Sequence, residues 1–353
     1  MERKDEIIRM QNEIMQGLIK QRMQLIGEDL WGRPVEEKEA EKEEKAAPQL
    51  PVAAAEGKME EKMEAAPEEP KAEEKTETIE ELKAELHGYI GLDAIKEEVD
   101  SLINWIEICK LRKEHDLPTP DLSLHMVFSG NPGTGKTMIA RLMARIYKCL
   151  GVLSKGHLVE VDRSGLVAGY VGQTAIKTAE VIEKAKGGVL FIDEAYALTN
   201  RDGEDFGQEA VDTILKAMED NRDDLVVIVA GYIELMQEFI HSNPGLESRF
   251  NRFLHFPDYS LEEMKKIFLM RCENSGYTLE ETAMEALEEI ILRESKDIKG
   301  FGNARGIRNL FEKAIAAQAD RLAESEEEIT RETLMRLTAE DLKNGCPAGE
   351  NKE

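Results

Sequence analysis

Short apolar runs alternate with longer segments whose apolar residues recur every three to four positions, and this double rhythm fills the middle of the chain. The runs at 124–129, 158–162, 188–193, 225–230 and 253–256 are rich in β-branched residues and lack strict apolar–polar alternation. Such runs predict strands covered on both faces. The segments between them have helical length and period. Together they predict a doubly wound α/β fold with a five-stranded parallel sheet and a ligand at the strands' C-terminal ends. After 257–259 the strand pattern stops. Ser260 with Glu263 is a capped helix start, and helices are predicted at 281–294, 304–323 and near 331–343. These form a separate, all-helical module.

The same rhythm marks 3–31, where Ile7, Met10, Ile14, Leu18 and Leu25 fall on one repeat before Trp31, Gly32 and Pro34 end it. Residues 36–78 break the pattern. They are rich in Glu, Lys, Ala and Pro, hold no aromatic residue, and carry prolines at 48, 51, 67 and 70. Such a segment buries too little apolar area to offset its chain entropy and predicts a disordered acidic linker. The expected division is an N-terminal amphipathic helix (1–35), the linker (36–78), an α/β domain (79–258), a helical domain (259–345) and a tail (346–353).

Composition narrows the function classes. The 353 residues carry a net charge of −26, of which −18 lies on 79–353. A body this acidic repels phosphate backbones, so nucleic-acid binding is not expected. No apolar stretch is long enough to span a membrane. Nor is there a secretion signal, so a cytoplasmic location is expected. The four cysteines, Cys109, Cys149, Cys272 and Cys346, form no C-x-x-C pair, which suits free thiols in a reducing compartment.

The chemistry is concentrated in five places. Gly130, Asn131, Pro132, Gly133, Thr134, Gly135, Lys136 and Thr137 fit G-x-x-x-x-G-K-[ST] between a predicted strand and a predicted helix. Backbone N–H groups and the helix N-terminus favour phosphate there. Lys136 is suited to the β- and γ-phosphates, and Thr137 to Mg²⁺. Some sixty residues on, the apolar run 189–192 ends in Asp193 and Glu194. This pattern assigns Asp193 to Mg²⁺ and Glu194 to the attacking water. Arg249 and Arg252 precede the last strand. An arginine contacting a neighbour's γ-phosphate gives ~10³–10⁵ in rate, about 4–7 kcal/mol of barrier. Arg305 and Arg308 share a face near a helix start, where a cation is suited to closing over bound nucleotide. Tyr170 lies between Gly169 and Val171-Gly172. Spacing alone leaves it either a buried ring capping the sheet or a ring that grips an extended polypeptide.

With these segments in order, the chain resembles the AAA+ ATPases, in the branch of stage V sporulation protein K and the red-type Rubisco activases. The likeness covers roughly 82–343 and is carried by 123–137, 155–159, 187–196, 223–232 and 256–259. It implies ATP and Mg²⁺ as cofactors. It also implies a homo-oligomeric ring, usually of six, that remodels a protein client through a central pore. Arg249 and Arg252 would act in trans, Arg305 would be the second sensor, Tyr170 would line the pore, and Ile90 and Gly91 would lie near the adenine. Where many relatives place Asn as first sensor, this chain has Ala230-Gly231-Tyr232. The client is not inherited from the likeness. A nucleic-acid motor or clamp-loader-like ATPase and a non-hydrolysing assembly switch are the alternatives.

Overall fold

The computed structural model describes residues 77–120, 123–170, 172–199, 206–325 and 329–347. The predicted leader helix and most of the linker lie outside them. Two helices, α1 (Ile79–Gly88) and α2 (Asp93–Glu114), precede β1 (Met126–Gly130) and α3 (Lys136–Cys149). Then come β2 (Leu158–Val161), α4 (Arg163–Leu166), α5 (Thr174–Ala185), β3 (Val189–Ile192), α6 (Gly207–Asp220) and β4 (Val226–Gly231). The α/β part closes with α7 (Ile233–His241), α8 (Pro244–Arg249) and β5 (Arg252–Phe256).

The five strands are parallel in the order β2-β3-β4-β1-β5. Alternate residues feed two separate cores. Met126, Phe128, Val189, Phe191, Val226 and Ile228 face α1, α2, α3 and the helical module that follows β5. Val127, Leu190, Ile192, Val227 and Val229 face the helices of the other layer. With both faces covered, β3 and β4 have no polar positions, which is why their runs do not alternate. Only β5, at the edge, alternates: Leu254 and Phe256 are buried while Phe253 and His255 are exposed.

The lid begins at α9 (Leu261–Asn274), capped reciprocally by Ser260 and Glu263. It continues through α10 (Ala283–Glu294), α11 (Ile298–Phe301), α12 (Asn303–Glu324), α13 (Arg331–Met335) and α14 (Ala339–Gly345). One expectation needs refinement. The single helix predicted near 331–343 is two short helices, and Arg336–Leu337 between them pairs in parallel with Thr278–Leu279. Two causes interrupt it. The buried Gln318 amide donates to the carbonyls of Thr333, Leu334 and Arg336, and Thr338 restarts a helix through a reciprocal cap with Asp341. Asp341, fully buried, also accepts a two-pronged pair from Arg321 at 2.7 and 2.9 Å. The order of helices joins to the sheet so that α12 starts at the phosphate loop.

Candidate nucleotide site

Strand register assembles the site. Gly130 at the tip of β1 pairs with Phe256 of β5, and Ser129 with Gly231 of β4. Ile192 of β3 pairs with Val229. Asn131, Asp193, Glu194, Tyr232 and Asp258 therefore all follow strand ends on one rim of the sheet.

The loop after β1 needs its glycines. Gly133 and Gly135 take φ of +74° and +97°, the left-handed region that side chains resist. A Cβ on Gly130 would collide with the Phe256 carbonyl, and one on Gly133 with the Gly302 carbonyl. Gly135 is the N-cap of α3 and offers no side chain to its free N–H groups. Lys136 Nζ donates to the carbonyls of Gly130 and Asn131, at 2.9 and 2.8 Å. Burial lowers the pKa of this amine, while Asp193 raises it, Arg305 lowers it, and Asp258 and Glu194 raise it. Thr137 is the second residue of α3. Thr134 Oγ1 donates to Asn131 O, which stiffens the loop. A concave run of backbone with a desolvated cation and a helix N-terminus fits a polyphosphate.

Asp193 and Glu194 stand where the sequence places them, at the tip of β3. The Asp193 N–H donates to Val161 O, and the Glu194 N–H to Asp193 Oδ1. Glu194 is exposed and has φ of +49°, costly for a residue with a Cβ. Strain of this kind is held where function uses it. Tyr196, two residues on, has its hydroxyl pKa pushed up to about 12, chiefly by burial and then by the charge of Glu194. Its ring sits 6.1 Å from that of Tyr232. Ile90 and Gly91 lie between α1 and α2 near Tyr259, whose hydroxyl donates to Thr134 O at 3.4 Å.

The arginines separate. Arg305 is exposed and close enough to act on Lys136. Arg308 instead pairs with Glu312 on the lid surface at 2.7 Å. Arg249 lies at the opposite end of the sheet, at the end of α8. Its Nη2 donates to Glu219 at 3.2 Å, its Nη1 to Gly245 O at 3.4 Å, and its Nε is buried without a hydrogen-bond partner. Its backbone carbonyl accepts from Ser123, and its charge acts on buried His125. The Arg252 guanidinium lies over the Trp105 ring, 4.8 Å from its centre. Tyr170 is 74% exposed, which excludes the buried-ring alternative. The loop bearing it is pinned by Thr174, whose Oγ1 accepts from the Ala168 N–H.

Sequence reasoning missed Asp258, Tyr259 and Asn303. Asn303 is fully buried yet polar. It follows Gly302 and stands two residues before Arg305, the one sequence feature that marks it.

Comparison with known proteins agrees with this architecture. Residues 126–258 match the model of the ATPase family associated with various cellular activities (AAA), and residues 260–352 match the AAA lid domain. Stage V sporulation protein K of Bacillus subtilis (strain 168) is 40% identical over 267 residues, 75% of this chain and 82% of that protein. A CfxQ homolog of Galdieria sulphuraria is 44% identical over 268 residues, 75% of this chain and 87% of its own length. Protein CbbX of Cereibacter sphaeroides is 46% identical over 248 residues, covering 70% and 79%. An ATPase domain followed at once by its lid, in register with relatives over most of their length, makes this chain a member of the AAA ATPase family, the ATP-hydrolysing group that includes stage V sporulation protein K and the CfxQ and CbbX proteins.

Proposed function

We propose that copies of this chain form a ring, six by the family resemblance, that hydrolyses Mg-ATP between neighbouring subunits and uses the cycle to remodel a protein client through its pore. One observation carries the shared site: Arg249 and Lys136 stand at opposite ends of β1. Arg252 begins β5 opposite Met126, the first residue of β1, and Lys136 follows the last. Five strand residues at ~3.3 Å each give about 16 Å. One arginine side chain does not bridge that span, so Arg249 serves the γ-phosphate of another copy.

In this reading Lys136 exchanges its two loop carbonyls for phosphate oxygens. Thr137 and Asp193 would hold Mg²⁺, which would supply charge neutralisation for the phosphates. Glu194 takes the proton of the attacking water. Arg249, and less directly Arg252, face the neighbour. Release from the exposed Glu219 carboxylate costs Arg249 little, because exposed pairs contribute ~0–1 kcal/mol. Arg305 closes from the lid. Ile90 and Gly91 flank the base.

Tyr170 supports a protein client. It is a large exposed ring on a glycine-flanked loop, suited to apolar contact with an extended chain. The acidic body disfavours nucleic acid. The test is ATP turnover with an unfolded model polypeptide and, separately, with single-stranded DNA. Stimulation by the polypeptide, lost in Tyr170→Ala and kept in Tyr170→Phe, is expected. Stimulation by DNA alone would overturn the client class.

A further inference from the structure

Three side chains stitch the phosphate loop to the lid. Asn303 begins α12 with φ of +52°, a conformation Asn tolerates better than most residues. Its Nδ2 donates to Asp258 Oδ1 at 2.8 Å and to Pro132 O at 3.3 Å, and its Oδ1 accepts from the Tyr259 N–H at 3.0 Å. The Tyr259 N–H fixes which end of the amide is oxygen, so donors and acceptor are all matched. Asp258 also accepts from Asn131 Nδ2, at 2.9 Å to each oxygen. Beside them the Ala304 N–H donates to Gly133 O at 3.2 Å, and the Gly302 carbonyl fills the space a side chain on Gly133 would need.

The oxygens involved matter. Pro132 O shares a rigid peptide plane with the Gly133 N–H, and Gly133 O shares one with the Thr134 N–H. Both N–H groups belong to the phosphate-cradling loop. When those groups turn toward a phosphate, the carbonyls at the far side of the same planes must turn too, and each is bonded to the start of α12. Arg305 is the next residue but one after Asn303.

The geometry points to Asn303, with Asp258 and Asn131, as a positioning bridge that carries phosphate-loop occupancy into the lid and so places Arg305. This rests on the ATP site proposed above. Asn303 and Asp258 need not touch nucleotide; they act through the loop planes and Arg305. Removing the bridge slows the chemical step more than it weakens ATP binding.

The experiment is hydrogen exchange with and without ATP in the full chain carrying Glu194→Gln, alone and combined with Asn303→Gly. Glycine relieves the backbone strain while deleting the amide. ATP is expected to slow exchange over both 131–135 and 302–306 in the first protein, and over 131–135 alone in the second. In Glu194-intact protein, Asn303→Gly is expected to lower kcat about tenfold, the scale of one well-made hydrogen bond. KM should stay within about threefold, and Arg305→Ala should cost nothing further on top of it. Asn131→Ala, at a half-buried site that leaves the lid intact, should move kcat the same way by about threefold. Absence of ATP protection at 131–135 in the first protein would defeat the nucleotide-site reading itself. Protection there, with 302–306 still responding in Asn303→Gly and kcat unchanged in both variants, would overturn the bridge alone.

Discussion

At the C-terminal ends of the strands, Gly133 and Gly135 bend the backbone into a cup and Lys136 is folded back onto the carbonyls of Gly130 and Asn131. At the N-terminal ends, Arg249 lies at the surface, one nitrogen on Glu219 and another buried without a hydrogen-bond partner. The first region gathers Lys136, Asp193, Glu194 and Arg305 at one rim of the sheet. The second is a cation whose one carboxylate partner, among the described residues, is the exposed Glu219. The separation of the two ends is what the proposed shared site rests on.

The largest effects come from breaking one end at a time. Lys136→Ala should abolish ATP binding, read by equilibrium titration. Arg249→Ala should leave binding intact and lower turnover ~10³–10⁵-fold, with no recovery at high protein concentration. Glu194→Gln should bind ATP and lower turnover ~10²–10⁴-fold. The next effect sharpens the comparison by leaving both ends alone. Asp341→Ala removes the buried partner of Arg321 within the lid and should cost about 2–3 kcal/mol in denaturant unfolding. It should leave the Arg249 dependence unchanged.

The smallest effect concerns the arginine end. His125 accepts a hydrogen bond from the Val227 N–H, and burial, then Arg249, holds its pKa at about 4. The folded ring is neutral, whereas the unfolded chain takes up a proton near pH 6.5. Stability is therefore lost as pH falls from about 6.5 toward 4, by ~1.4 kcal/mol per unit for this group. His125→Gln should flatten that limb by one proton in acid titration of unfolding.

The phosphate loop and the strand tips were readable because their chemistry is local. Glycines, Lys136 and Thr137 are contiguous, and the covered strands β3 and β4 leave unbroken apolar runs, so that β1 to β5 are marked within about two residues. The Asn303 bridge was not readable, because its partners lie 45 and 171 residues away and meet only through strand register. The contact of Arg252 with Trp105 in α2 was not readable for the same reason, since the two lie far apart in sequence. The Thr278–Leu279 pairing with Arg336–Leu337 is two residues long, too short for any period to register.

Mixing the two crippled proteins tests the shared pocket most directly. Lys136→Ala copies still carry Arg249, and Arg249→Ala copies still carry the cradle. In equal mixture, about a quarter of the interfaces should join the intact halves. The account predicts that the mixture hydrolyses ATP far faster than the sum of its separate components. Turnover no greater than that sum, from preparations shown to assemble together, would contradict it.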